Sequence, residues 1–197
     1  MHKWEKAYQQ KKFSINTINP SKIVKKIAGD IPIKSKVLDL GCGNGRNSIY
    51  LAKKGFHVDA IDIADLDFMS HLEGEIQENI SFIKKSVTDY FEGNKYNIVI
   101  ATRLFQYLNK NELHKMIDQI FESLNEGGIF VSSYNMSGGI FERKDIQVDK
   151  YIHKIEDINA VLLACGFKNI DIVEGDKKSK YVPYNSAIKT FDIIAYR

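Results

Sequence analysis

Apolar and polar positions follow two alternating periods from residue 36 onward. Short apolar runs of strand length stand at KVLDL (36–40), FHVDAID (56–62), ISFIKK (80–85), YNIVIA (96–101) and GGIFVSSYN (127–135). Between them lie stretches with helical spacing: NGRNSIYLAKKG (44–55), ADLDFMSHLEGEIQ (64–77) and NKNELHKMIDQIFESL (109–124). The last is the clearest, with Leu113, Met116, Ile117, Ile120 and Leu124 on one face. YNIVIA is apolar throughout, as expected of a strand covered on both sides. Strands alternating with helices of these lengths predict a parallel α/β sheet.

The two ends differ from this core. KWEKAYQQKK (3–12) is a polar helical segment with Trp4 and Tyr8 four positions apart, hence on one face. A second helix is expected from about Pro20 to Ala28, with Asn19 as N-cap, Pro20 in the first position and Gly29 as the stop. Residues 137–154 alternate loosely, and IEDINAVLLACGF (155–167) reads as a helix. NIDIVE (169–174) and KTFDIIAYR (189–197) read as two strands of a hairpin joined by a long polar loop. The expected organisation is one domain over 1–197: a helical cap (1–30), a cofactor-binding core (36–135), and a substrate-side insertion with a terminal hairpin (137–197).

Composition narrows the function classes. The 197 residues carry 28 basic and 25 acidic side chains, a net charge of +3, without the basic excess of a nucleic-acid footprint. The first residues, MHKWEKAYQQKK, lack the apolar core of a signal peptide, and no run has the length of a membrane span. Two cysteines, Cys42 and Cys165, make neither a disulfide framework nor a paired metal spacing. The expectation is a cytoplasmic protein without membrane or nucleic-acid partners, monomeric or homodimeric, holding no metal.

The chemistry concentrates after the first strand, where Gly41, Gly43 and Gly45 follow Asp39, and Asp62 closes the next strand. Ligands of open α/β sheets bind at the carboxyl ends of strands beside the topological switch point. Glycines there let a ligand approach the main chain, and the helix that follows favours a carboxylate or phosphate. A dinucleotide fingerprint needs a third small residue where Arg46 stands, and the spacing does not fit a P-loop either. An acidic side chain at Asp62 suits ribose hydroxyls, a feature shared by NAD and nucleoside cofactors.

VLDLGCGNGRNSIYLAKKGFHVDAIDIA (37–64) resembles motif I and the following acidic motif of class I S-adenosylmethionine-dependent methyltransferases. The GCGNGRNS form, the length and the opening Trp4–Tyr8 helix look most like the small branch that contains the tellurite-resistance methyltransferases. SLNEGGIFVSSYN and FDIIAYR resemble that family's turn into the fifth strand and its reversed terminal strand. The resemblance implies a Rossmann-like fold: a seven-stranded, mostly parallel sheet with a reversed terminal strand, helices on both faces and an N-terminal helical cap. It also implies S-adenosylmethionine as cofactor, leaving as S-adenosylhomocysteine. Gly41, Cys42 and Gly43 would line the methionine part and ribose, and Asp39 would support that loop and the amino group. Asp62 would hold the ribose, Ile63 would lie against the adenine, Ala101 beside the methionine, and Tyr8 over the cofactor. Ser86, followed by Val87, stands where the family often has an acidic adenine contact, so either the Ser86 hydroxyl or Asp89 takes that part.

Beyond the cofactor the residues leave alternatives. Arg103 is either a surface cation in an ion pair or a fixed guanidinium for an acidic acceptor. Tyr107, Tyr134 and Asn135 fall at comparable strand ends, as packing or as substrate contacts, and Trp4 and Tyr8 either pack on the core or close over the site. Arg103, Tyr134 and His153 are the candidates for a catalytic part, His153 as a base. No Asn/Asp-Pro-Pro-Tyr amino-methylation motif follows the fourth strand. The expected function is methyl transfer to a small molecule, an acidic one where Arg103 serves as its cation, mainly by positioning; the acceptor atom, O, N, S or C, is open. Alternatives are an RNA or protein methyltransferase, a tellurite or chalcogen methyltransferase, an NAD-dependent enzyme, or a non-catalytic nucleotide sensor.

Overall fold

In a computed structural model, residues 19–64, 67–91, 93, 95–135, 151–177 and 188–197 are described. Seven strands form one sheet: β1 (Lys36–Leu40), β2 (His57–Asp62), β3 (Ile80–Lys84), β4 (Tyr96–Thr102), β5 (Leu124–Asn135), β6 (Lys168–Lys177) and β7 (Ile188–Tyr196). Their order is β3-β2-β1-β4-β5-β7-β6, with only β7 running against its neighbours. The chain moves outward from β1 to β3 and returns to β4, so the switch point lies between β1 and β4. The expected fold class stands.

Alternation along the strands divides the core. Leu38, Leu40, Val99 and Ala101 face one side with α4 (Lys110–Ser123) and α5 (Ile155–Cys165), while Val37, Ile98 and Ile100 face the other. On that second side lie α1 (Lys22–Ile27), α2 (Arg46–Ala52) and α3 (Gly74–Glu78). β4 is buried on both faces except for Asn97, as its continuous apolar run requires. No helix among the described residues is long and apolar enough to cross a membrane.

Three expectations need correction. α1 starts at Lys22 behind Ser21, not at Pro20 behind Asn19. The Ser21 N–H donates to Asn47 Oδ1, so a tertiary bond sets this boundary rather than a local cap. Residues 64–77 form no continuous helix: a single 3-10 turn (Phe68–His71) precedes the short α3. Asp67 (φ 52°) and Gly74 (φ 55°) are left-handed, which a right-handed helix cannot absorb. β5 begins at Leu124, directly after α4, and its pairing with β4 shifts register between Tyr96 and Ile98. The expected helix at 3–12, residues 136–150 after β5 and residues 178–187 after β6 lie outside the described residues.

Candidate cofactor site

At the carboxyl end of β1, Gly41, Gly43 and Gly45 all take positive φ (66°, 57° and 70°). A Cβ on Gly41 would stand 3.1 Å from Leu104 Cδ1, just past the end of β4, so the turn lies tight against the switch point. The Cys42 N–H donates to Ile61 O (2.9 Å), extending the β1–β2 ladder into the turn. The next donor, Gly43 N–H, reaches Asp62 Oδ2 at 2.9 Å, and Ala64 N–H donates to Asp62 Oδ1 at 2.9 Å. Asp62 is thus fixed by backbone donors while 8% of it remains exposed.

Asp39 is buried one strand over. Ser48 Oγ donates to its Oδ2 at 2.6 Å, while Oδ1 is buried with no hydrogen-bond partner. Burial pushes the carboxyl up to about 6, opposed by the Ser48 bond and the Arg46 charge, and reinforced by Asp62. A buried acceptor without a donor is costly. An ammonium group would donate to it, so this acceptor fits the amino-acid end of S-adenosylmethionine. Cys42 does not fit a nucleophile: burial, with Asp39 and Asp62 nearby, raises its thiol well above the ordinary range.

Ile63 is half-buried beside Asp62. After β3, Ser86 caps a 3-10 turn over Val87–Asp89; its Oγ accepts the Thr88 N–H (3.4 Å) and lies 2.8 Å from Thr88 Oγ1. Thr88 Oγ1 donates in turn to Asp89 Oδ1 (3.2 Å). Ser86 and Asp89, the two alternatives for the adenine contact, are therefore ends of one hydroxyl chain.

The substrate-side candidates separate. Ala101 is fully buried, with its carbonyl accepting Ser132 Oγ. Arg103 is exposed at the end of β4 with φ 57°, a conformation non-glycine residues rarely hold, and its N–H donates to Ser133 O at 2.8 Å. Tyr107 lies close by; burial raises its phenol, opposed by a Gln106 hydrogen bond and the Arg103 charge. Gln106 Oε1 is a buried acceptor without a partner.

Tyr134 and His153 lie together. Tyr134 is fully buried and its hydroxyl accepts the His153 N–H at 2.6 Å. His153 Nε2 lies 2.9 Å from Leu108 O; a carbonyl only accepts, so that nitrogen carries the hydrogen. The pair braces β5 against the β4–α4 connection. Asn135 ends β5, paired with Thr190. Tyr8 and Trp4 lie outside the described residues. No cluster of three or more His, Cys, Asp or Glu suited to a metal occurs among the described residues.

Asn47, Ser48 and Gln106 were not anticipated. The legible signal was polarity: two short polar residues in the first turn of a helix whose inner face should be apolar.

The family model "Tellurite resistance protein TehB" matches residues 1–142. Phosphoethanolamine N-methyltransferase 1 of Triticum aestivum is 38% identical over 110 residues, covering 52% of this chain and 22% of that protein. A probable S-adenosyl-L-methionine-dependent methyltransferase TehB of Haemophilus influenzae is 32% identical over 124 residues, 61% of this chain and 42% of that one. The chain thus spans less than half the length of these curated relatives. Among solved structures, the Burkholderia thailandensis 1,6-didemethyltoxoflavin-N1-methyltransferase, with its substrate and S-adenosylhomocysteine bound, superposes with TM-score 0.77. It is 15% identical and covers 98% of this chain and 85% of that one. With most of its length matched by that family model, and a sheet and glycine turn of the expected kind, this chain belongs to the TehB family.

Proposed function

We propose that the chain is an S-adenosylmethionine-dependent methyltransferase acting on a small-molecule acceptor. The observation that carries this reading is the pair of carboxylates framing the glycine turn. Asp39 keeps a buried oxygen without a donor, and Asp62 is clamped by two backbone N–H groups at the end of β2. Together they match a ligand bearing an ammonium at one end and vicinal hydroxyls further along. Arg46, in place of a third small residue, disfavours a dinucleotide. The names of relatives that methylate phosphoethanolamine and malonyl-acyl carrier protein support the transferase class.

Bound S-adenosylmethionine supplies a methyl group already activated on a sulfonium. The residues present then have to position and desolvate. Asp39 and the turn hold the amino-acid end, Asp62 and Ile63 the nucleoside, and the Ser86–Thr88–Asp89 chain meets the adenine edge. Arg103 and Tyr107, past the end of β4, present a cation and a phenol to the acceptor, which favours an acidic metabolite. Positioning is the main catalytic device in this reading, an effect that reaches roughly 7–11 kcal/mol. Both cysteines are free thiols, as a reducing cytoplasm maintains.

Calorimetric titration with S-adenosylmethionine, S-adenosylhomocysteine and NAD tests this. Micromolar binding of both sulfur nucleosides and none of NAD is expected, with at least tenfold weakening in Asp62→Ala. Binding of NAD alone, or of none of the three, removes the reading.

A further inference from the structure

α2 is seven residues long and begins behind Gly45, a left-handed N-cap that supplies no side-chain bond. So short a helix is marginal by itself and has no local cap to aim it. Beyond the apolar packing of Leu51 and Ala52, the side chains of its first turn tie it to its neighbours. Arg46 donates to Ser21 Oγ at 3.2 Å, and Ser48 donates to Asp39 Oδ2.

Between them Asn47, 2% exposed, uses both ends of its amide. Oδ1 accepts the Ser21 N–H at 2.9 Å, and Nδ2 donates to Thr102 Oγ1 at 3.0 Å. The orientation is determined, because a backbone N–H can only donate and the Thr102 hydroxyl can accept. One side chain therefore ties together the helix leaving the glycine turn, the last residue of β4 and the residue that opens α1. Thr102 immediately precedes Arg103, and Ala101–Ser132 and Thr102–Ser133 are paired across β4 and β5.

We propose that Asn47 is a positioning residue of the cofactor site, locking the glycine turn to the carboxyl end of β4 so that the donor cradle and the Arg103 side keep one fixed relation. This rests on the cofactor reading above. The lock acts on the amino-acid end of the cofactor, which α2 and Asp39 face. The nucleoside end is held from a different strand, by Asp62 at the end of β2, which accepts the Gly43 and Ala64 N–H groups.

The test compares two ligands that differ only in that end. S-adenosylhomocysteine and 5′-methylthioadenosine are titrated into the parent protein, Asn47→Ala, Thr102→Val and Thr102→Ser, each checked by circular dichroism for folding at the titration temperature. Thr102→Val preserves volume and removes only the hydroxyl, so it remains informative if Asn47→Ala does not fold. The expected result is at least fivefold loss of S-adenosylhomocysteine affinity in Asn47→Ala and Thr102→Val, less than twofold change for methylthioadenosine, and near-parent values for Thr102→Ser. Equal losses for both ligands, no loss for either, or a serine variant as weak as the valine one overturns the proposal. A parent protein that binds neither nucleoside removes the cofactor reading itself, and the proposal with it; parent binding with unchanged variants overturns the proposal alone.

Discussion

At the scale of single residues the site is a place where stability is given up. Asp39 has its carboxyl raised from 3.8 to about 6, chiefly by burial. A raised acid is better protonated in the folded than in the unfolded chain. Its contribution is therefore full below about pH 4, falls as pH rises through about 6, and is a loss of roughly 3 kcal/mol above that. Asp39→Asn removes the charge while leaving an oxygen for Ser48. Thermal unfolding should show the variant gaining about 1–3 kcal/mol at pH 8 and little at pH 4, while S-adenosylhomocysteine binding falls at least tenfold. A variant no more stable at pH 8 would mean that Asp39 is not held at a cost. In the parent protein an ammonium ligand favours ionised Asp39, so affinity should also drop as pH falls below about 6. Asp39 and Asp62 were legible in the sequence because a strand followed by alternating glycines leaves them one position available. Asn47 was not, because its partners lie 26 and 55 residues away and no local pattern encodes such distances.

At the scale of elements, the helix that read most clearly also has the most completely finished ends. α4 opens on Asn109, whose side chain accepts the Glu112 N–H (3.0 Å) while Glu112 Oε2 accepts the Asn109 N–H (2.7 Å). This reciprocal box satisfies two otherwise orphaned donors. The other end is closed from the far terminus: Arg197 Nη1 donates to Phe121 O (2.7 Å), Glu122 O (3.2 Å) and Leu124 O (2.6 Å), with its guanidinium over the Phe121 ring. A cation there meets the negative end of the helix dipole. Asn109→Ala should lower stability by about 1 kcal/mol, and Arg197→Ala by about 1–3 kcal/mol, since it strands carbonyls and loses packing as well. Chemical denaturation of both variants checks the order; an Arg197→Ala effect smaller than that of Asn109→Ala would show water serving those carbonyls equally well. Hydrophobic period predicted the body of α4, and the same signal failed over 64–77. There the apolar spacing was helical but Asp67 and Gly74 turn the backbone left-handed, which period cannot express. Brace contacts such as Tyr134–His153 join segments whose pairing only the assembled sheet determines. From the sequence both residues had the chemistry of a site and the position of one.

At the scale of the whole molecule, an α/β sheet has two unlike edges, and polar clusters occupy both. The carboxyl edge holds the glycine turn, Asp62 and Arg103. Toward the amino edge, Lys36 Nζ pairs with Asp59 Oδ2 at 3.2 Å and lies over the Tyr96 ring, the Tyr96 hydroxyl donates to the same Asp59 oxygen at 2.8 Å, and the Tyr90 and Tyr96 hydroxyls are bonded to each other. Burial and these bonds hold the Tyr96 phenol far above its ordinary range, so it stays neutral and serves as a donor. Each hydroxyl of that network already has a partner, in contrast to Asp39 Oδ1 across the sheet. The two edges should therefore respond differently to equal damage. Tyr96→Phe deletes one hydroxyl that bridges β4, β2 and the chain after β3, and should cost about 1–2 kcal/mol in denaturant unfolding. S-adenosylhomocysteine affinity, measured by calorimetry on the folded variant, should stay within twofold of the parent. A loss of affinity comparable to that of Asp39→Asn would mean that the sheet transmits strain from its amino to its carboxyl end, and that the cofactor site depends on a network it never touches.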